Sequence, residues 1–106
     1  YNSFTASLTG TFNTLSDQEI LTTYTSTTSV TVNISNSSTI AVTTSGSGTN
    51  PLIQLNGSGP FLSSQTCSDG DTLKARLTTG SSEAATYTCV ATLGSHGSKT
   101  FIVFTE

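Results

Sequence analysis

Apolar residues recur at every second position along most of the chain. The clearest case alternates Val30, Val32 and Ile34 with Thr31 and Asn33. Successive side chains of a β-strand point to opposite sides of the sheet, so this spacing predicts a strand with one inward, apolar side. The same period recurs around residues 4–12, 40–44, 73–77 and 85–93. Because no segment has helical periodicity, we expect an all-β protein.

Turn-forming residues separate these segments. Asn56-Gly57 is a favoured hairpin turn, since both residues tolerate positive φ, and Asp69-Gly70 marks another turn. Residues 15–18 predict a connection, and the Ser- and Gly-rich residues 45–51 predict a long surface loop. The spacing predicts seven to nine short strands in one domain over residues 1–106, arranged as an antiparallel two-sheet sandwich. A small barrel is the alternative architecture.

Composition supports a small β-domain and excludes two classes of function. Ser and Thr supply 41 of the 106 residues, the charged residues number nine, and the net charge is −3. Three cations cannot neutralise the phosphates that a DNA-binding surface contacts, so we expect no nucleic-acid partner. No apolar run approaches the length of a membrane span, so we expect no membrane insertion. The start at Tyr1 leads us to expect a segment excised from a longer polypeptide.

The two cysteines, Cys67 and Cys89, are 22 positions apart in the sequence. Zinc would require more Cys or His ligands in close-set pairs, so no metal site is expected there. Cys89 shares the parity of the apolar positions of its segment, which places it on the core side of a strand. A disulfide between the two is the favoured interpretation, and two free buried thiols are the alternative. A disulfide would indicate an oxidising compartment.

Candidate catalytic groups are few. His96 is the only histidine and lies between glycines and serines at a predicted turn, where nothing holds it beside a nucleophile. Asp69 and Asp71 could contribute to a calcium site, but calcium needs six to eight oxygens, and a plain Asp-Gly turn is the alternative. Asp17 and Glu19 have the residue types of a glycosidase pair, yet they fall in a predicted connection. We therefore expect neither an enzyme nor a bound cofactor.

Two sets of motifs resemble known modules. Residues 83–89, Glu-Ala-Ala-Thr-Tyr-Thr-Cys, are similar to the signature before the last-but-one strand of immunoglobulin domains. A longer resemblance, over about residues 12–105, is to the immunoglobulin-like repeat modules of bacterial surface adhesins and of phage or bacterial fibre proteins. Its motifs are Ser-Val-Thr-Val at 29–32, Asn-Gly at 56–57, Gly-Asp-Thr-Leu-Lys-Ala-Arg-Leu at 70–77, Ala-Thr-Leu-Gly at 91–94 and Phe-Ile-Val-Phe-Thr at 101–105. The resemblance implies an immunoglobulin-like sandwich and a non-enzymatic stalk or adhesive module.

Two functions compete on this basis. The favoured one is an extracellular recognition module that contacts a cell-surface polysaccharide or protein through loops at one end of the sandwich. The predicted ligand-binding residues lie in two loops: Ser45, Ser47, Thr49 and Asn50, and His96. A single copy should bind weakly, so we expect several copies, with a homotrimer as one candidate assembly. The alternative is a structural spacer that contacts only neighbouring modules of the same chain.

Overall fold

The computed structural model describes residues 4–106 and is all-β, as the alternation predicts. The described residues form ten strands, whose bounds are β1 Ala6–Thr9, β2 Thr14–Gln18, β3 Thr23–Thr25, β4 Val30–Ile34, β5 Ile40–Ser45, β6 Thr49–Leu55, β7 Ser64–Cys67, β8 Thr72–Thr78, β9 Thr86–Leu93 and β10 Ser98–Thr105. They build two antiparallel-rich sheets, an arrangement compatible with a β-sandwich.

Sheet A is organised around β8. One edge of β8 pairs with β6, and the other edge pairs with β3 and then with β4, which in turn pairs with β1. Between β3 and β4, the buried Ser26 keeps the ladder closed: its amide donates to the Ala75 carbonyl, and its hydroxyl accepts from the Ala75 amide at 3.0 Å. Residues 23–34 therefore follow β8 as one interrupted strand.

Sheet B has the order β2-β10-β9-β5-β7. All of its pairings are antiparallel except that of β2 with β10, which is parallel. The parallel register aligns Thr14 with Ile102 and Gln18 with Thr105. A bulge interrupts this register, and Asp17 within it has a φ of 58°.

The core lies between the two sheets and follows the period-two pattern of the sequence. In β8 the side chains of Leu73, Ala75 and Leu77 are fully buried, while Lys74 and Arg76 face outward. Sheet B supplies Phe101, whose ring meets that of Phe12 edge-on at a centroid distance of 6.3 Å. Removing apolar surface from water contributes about 25 cal/mol per Å² to folding, and this is the main favourable contribution of such a core.

The structure has ten strands where seven to nine are predicted, and two segments differ from expectation. Residues 15–18 form most of β2 and not a connection, since pairing with β10 supplies backbone partners that the local pattern does not reveal. The predicted loop over residues 45–51 is a short crossover, residues 46–48, between the end of β5 in sheet B and the start of β6 in sheet A. Ser45, Thr49 and Asn50 are strand residues.

The predicted Cys67–Cys89 disulfide is wrong for this fold, because both thiols are free and buried. The register explains why. Cys67 pairs with Ile40 at the start of β5, whereas Val90, next to Cys89, pairs with Ser45 at its end. At about 3.3 Å per residue, this separates the cysteines by roughly 17–20 Å along the sheet. A disulfide requires Cα atoms within about 7 Å.

The chain enters and leaves the described fold at opposite ends. The entry end carries the turns at residues 35–39, 56–59, 68–71 and 94–97, and there Ser35 donates a backbone hydrogen bond to the Thr5 carbonyl. The exit end carries the connections at 19–22, 46–48 and 79–85. At this end Glu106 accepts from the Ala84 amide and donates to the Gln18 carbonyl. The principal-axis extents are 52 × 23 × 18 Å.

Candidate functional site

The crossover at residues 46–48 is packed tightly against β9. The Ser47 amide donates to the Thr88 hydroxyl at 3.0 Å, and the Thr88 amide donates to the Ser47 hydroxyl at 3.1 Å. The Gly48 amide donates to the Thr88 carbonyl at 2.9 Å. A Cβ on Gly48 would lie 2.8 Å from the Leu77 Cβ, so no larger residue fits without movement. The polar groups of Ser47 are thus already paired within the protein.

The other predicted ligand residues are divided between the two ends. Thr49 and Asn50 begin β6 at the exit end, where Asn50 has a φ of 48° beside a bulge in the β6–β8 ladder. His96 lies at the entry end, in the β9–β10 turn, and its ring meets Phe4 edge-on at a centroid distance of 5.3 Å. No single loop site combines His96 with the crossover.

The two cysteines lack the properties of nucleophiles. Burial raises the pKa of Cys67 from 9.0 to about 11, and the nearby Asp71 carboxylate adds to the increase. Burial likewise raises the pKa of Cys89 to about 11, and its thiol lies 3.7 Å from the Leu52 carbonyl oxygen. Thiolate is the reactive form of cysteine, so both side chains behave as small apolar core residues at neutral pH.

Asp69 and Asp71 accept hydrogen bonds that close the β7–β8 turn. The Asp69 carboxylate accepts from the Ile34 amide at 2.7 Å. The Asp71 carboxylate accepts from the Ser68 amide at 2.8 Å and from the Asn56 side-chain amide at 3.0 Å. These bonds join two turns of the entry end, which is the structural role of a capped Asp-Gly turn. Within residues 4–106, no group of three or more His, Cys, Asp or Glu is placed to hold a metal ion.

A cleft of about 550 Å³ lies at the exit end, lined by Gln18, Glu19, Ile20, Glu83 and Glu106. Of Asp17 and Glu19, whose residue types match a glycosidase pair, only Glu19 lines the cleft. Sequence reasoning missed this grouping of glutamates, because the three come from distant parts of the chain. Backbone bonds that join Glu106 to Ala84 and to Gln18 help to bring them together. Three of its five lining residues are glutamates, so the cleft has acidic character.

The outer face of sheet A carries the cations Lys74 and Arg76, and several of its polar side chains pair with one another. The Arg76 guanidinium lies 3.6 Å from the centroid of the Phe61 ring, and its Nε donates to the Thr25 hydroxyl at 3.3 Å. The Thr23 and Thr78 hydroxyls are 2.8 Å apart across the β3–β8 pair. The Asn33 side chain donates to the Thr9 hydroxyl at 3.0 Å across the β1–β4 pair.

The outer face of sheet B differs in composition and in pairing. Over β10, β9, β5 and β7 the outward positions form what we call the hydroxyl face, whose members are Ser98, Thr100, Ile102, Phe104, Thr86, Thr88, Val90, Thr92, Ala41, Thr43, Ser45, Ser64 and Thr66. None of them is charged. Strand register aligns Ser98, Thr92, Thr43 and Ser64 in one row across all four strands.

The hydroxyls of that row make no hydrogen bond to any residue that the structure describes. Thr88 is the one residue of the hydroxyl face whose side chain bonds to another described residue, Ser47. Sequence analysis missed the face, although the alternation of Thr and Ser with apolar residues was visible. The missing information was the strand register, which alone shows which hydroxyls become neighbours.

The described residues include no helix long and apolar enough to cross a bilayer. Comparison with protein-family models gives no match to the chain. Comparison with curated proteins likewise gives no significant similarity.

Proposed function

We propose that this domain is a non-enzymatic structural module of an extended extracellular or fibre protein. The observation that carries the proposal is the placement of the two ends of the described chain. Residue 5 lies at the entry end and Glu106 at the exit end, so copies joined in tandem would form a linear array. This favours the spacer function over recognition by loops.

The strand arrangement supports an immunoglobulin-like assignment. The order β1-β4-β8-β6 in sheet A is the one expected for a four-stranded immunoglobulin sheet, and the order β5-β9-β10 in sheet B is the one expected for its three-stranded partner. One departure is the order of two strands along the chain. Strand β6 joins sheet A before β7 joins sheet B, and an immunoglobulin variable domain has the opposite order.

Two arguments that favoured adhesion no longer hold. The predicted disulfide, which would indicate an oxidising compartment, is absent, and the predicted ligand-binding loop is a short crossover bonded to β9. The extracellular location consequently rests on the sequence resemblance alone. Recognition stays as a second candidate, and the observation that favours it is the uncharged hydroxyl face.

The parallel β2–β10 pair is suited to bear tension along the array. Strand β2 lies in the N-terminal part of the chain and β10 is the last strand, and both run toward the exit end. A pull on the two ends therefore slides β2 against β10 along their length. All hydrogen bonds between the two strands are then loaded together, whereas a peeling force would break them one after another.

Single-molecule force measurements on a tandem array of this chain test the proposal. We expect cooperative unfolding events that each release the same length of chain, at an unfolding force that depends on β2. Leu15→Ala, which weakens the packing of β2 against the core, should lower the unfolding force relative to the wild type. Ile40→Ala in β5 removes a comparable half-buried side chain and should leave the force nearly unchanged. Equal effects of the two variants, or unfolding without measurable resistance, would contradict the proposal.

A further inference from the structure

We propose that the hydroxyl face of sheet B is a binding surface for an uncharged polysaccharide. This goes beyond the structural role, because a spacer needs no ligand. It also places recognition on a sheet face and not in the loops where the sequence predicts it.

The first argument concerns charge. Lys74 and Arg76 lie on the outer face of sheet A, the glutamates Glu19, Glu83 and Glu106 lie at the exit end, and two aspartates lie at the entry end. The four strands of the hydroxyl face carry no charged side chain on their outer side. An anionic polysaccharide would need cations that this face lacks. An uncharged sugar polymer would bring no charge to be desolvated there.

The second argument concerns the unpaired hydroxyls. Each Ser or Thr hydroxyl can donate one hydrogen bond and accept others, which matches the groups of a sugar. The row of Ser98, Thr92, Thr43 and Ser64 crosses four strands at a spacing of about 4.8 Å and has no bonding partner within the described protein. Sheet A, in contrast, uses Thr23, Thr78, Thr25 and Thr9 in bonds of its own.

The third argument concerns the apolar members of the face. The neighbouring row aligns Thr100, Val90 and Ser45, and the next places Ile102 beside Thr88. Phe104 is 40% exposed at the exit side of the same face. Sugar rings have C–H faces as well as hydroxyl edges, so alternating methyl and hydroxyl groups offer partners to both. The described cleft lies at the exit end and not on this face, so each copy should bind weakly and tandem copies should gain by avidity.

Affinity electrophoresis of the full chain, linked as a tetramer, tests the inference. The probes are dextran, mannan and a soluble β-glucan at equal mass in native gels, with polygalacturonate as the anionic comparison. We expect at least one uncharged polymer to retard the tetramer and polygalacturonate to leave it unretarded. Retardation by polygalacturonate alone, or by none of the four, would overturn the inference.

A matched pair of double variants locates the site. Thr43→Val with Thr92→Val removes a cross-strand pair of hydroxyls from the hydroxyl face. Thr31→Val with Thr72→Val removes the equivalent pair from the outer face of sheet A. We expect the first variant to lower the apparent affinity, measured from retardation, at least fivefold. We expect the second variant to keep this affinity within twofold of the wild-type value. Equal losses, or a loss only in the second variant, would place binding elsewhere and overturn the inference.

Thr92→Lys gives a check that does not depend on removing hydroxyls. Its ammonium group would stand within the row of unpaired hydroxyls and should abolish retardation by the uncharged polymer. Thermal melting of every variant, followed by circular dichroism, shows that the fold is kept. The force measurements change β2 and not this face. A failure to bind polysaccharide therefore does not contradict the structural proposal, and a failure of the force prediction does not contradict the binding proposal.

Discussion

The outer faces of the two sheets both carry threonines but use their hydroxyls differently, and only the face of sheet A carries cations. On sheet A, threonine hydroxyls bond across strands, as in the Thr23–Thr78 pair, and Arg76 is held between Phe61 and Thr25. On sheet B, the row through Thr92 and Thr43 crosses four strands with its hydroxyls unpaired. Thr favours strands on both sheets through its branched Cβ. Its hydroxyl stabilises the fold only where register supplies a partner.

The largest expected effect on stability comes from the core, and it tests whether the two sheets unfold as one unit. Phe101 is fully buried beneath sheet B, and Phe101→Ala leaves a cavity in addition to the lost apolar burial. We expect the free energy of unfolding to fall by about 3–5 kcal/mol. Urea denaturation followed by circular dichroism and by Tyr fluorescence should give coincident transitions. Separate transitions would show that the two sheets unfold independently.

The next effect is a loss of stability at high pH that comes from the thiols of Cys67 and Cys89 on the inner side of sheet B. Each has a pKa of about 11 in the folded protein against an ordinary value of 9.0. The unfolded chain therefore loses protons above pH 9 that the folded chain retains. The stabilisation is complete below pH 9 and is lost as pH rises through 11, by about 1–3 kcal/mol for each thiol.

Urea midpoints between pH 8 and 11 measure this dependence. The control is the double variant Cys67→Ala with Cys89→Ala, which lowers stability at every pH but should flatten the decline. An unchanged slope in the control would assign the pH dependence to other groups. Alkylation in urea without a reducing agent should add two adducts to the wild-type chain, because both thiols are free.

A variant of Arg76 tests how much the side-chain contacts on the outer face of sheet A stabilise the fold. Arg76→Ala removes the stacking on Phe61 and the bond to Thr25. We expect a loss of about 1 kcal/mol, which is typical of a partly exposed cation–π contact with one added hydrogen bond. Lys74→Ala, on the same outer side of β8, is the control and should change stability by less. Equal effects would show that the Phe61 contact contributes little.

The smallest effect addresses the hydroxyls directly. Thr78→Val breaks the Thr23–Thr78 bond on sheet A and should cost about 0.5–1 kcal/mol. Thr92→Val breaks no described bond on sheet B and should be neutral within about 0.3 kcal/mol, since Val is at least as favourable in strands. Thermal melts of the two variants under identical conditions make the comparison. A larger loss for Thr92→Val would show that its hydroxyl has a structural partner.

Much of the fold was predictable because local alternation encodes burial. The inward parity of Leu73, Ala75 and Leu77, and of Cys89 in β9, was correct. Errors arose where pairing partners are distant. Residues 15–18 have a weak local pattern and become β2 only through β10, and the Ser-Gly segment becomes a crossover only because β9 binds it.

By itself, the sequence determined an all-β chain with one apolar side to most strands, since side-chain direction repeats every two residues whatever the partner. It did not determine which strands are neighbours. Register places Cys67 and Cys89 at opposite ends of β5 and so prevents a disulfide, gathers Glu19, Glu83 and Glu106 into one cleft, and aligns four hydroxyls across sheet B. These groupings join residues far apart in the chain, and their distances are fixed only when the strands pair.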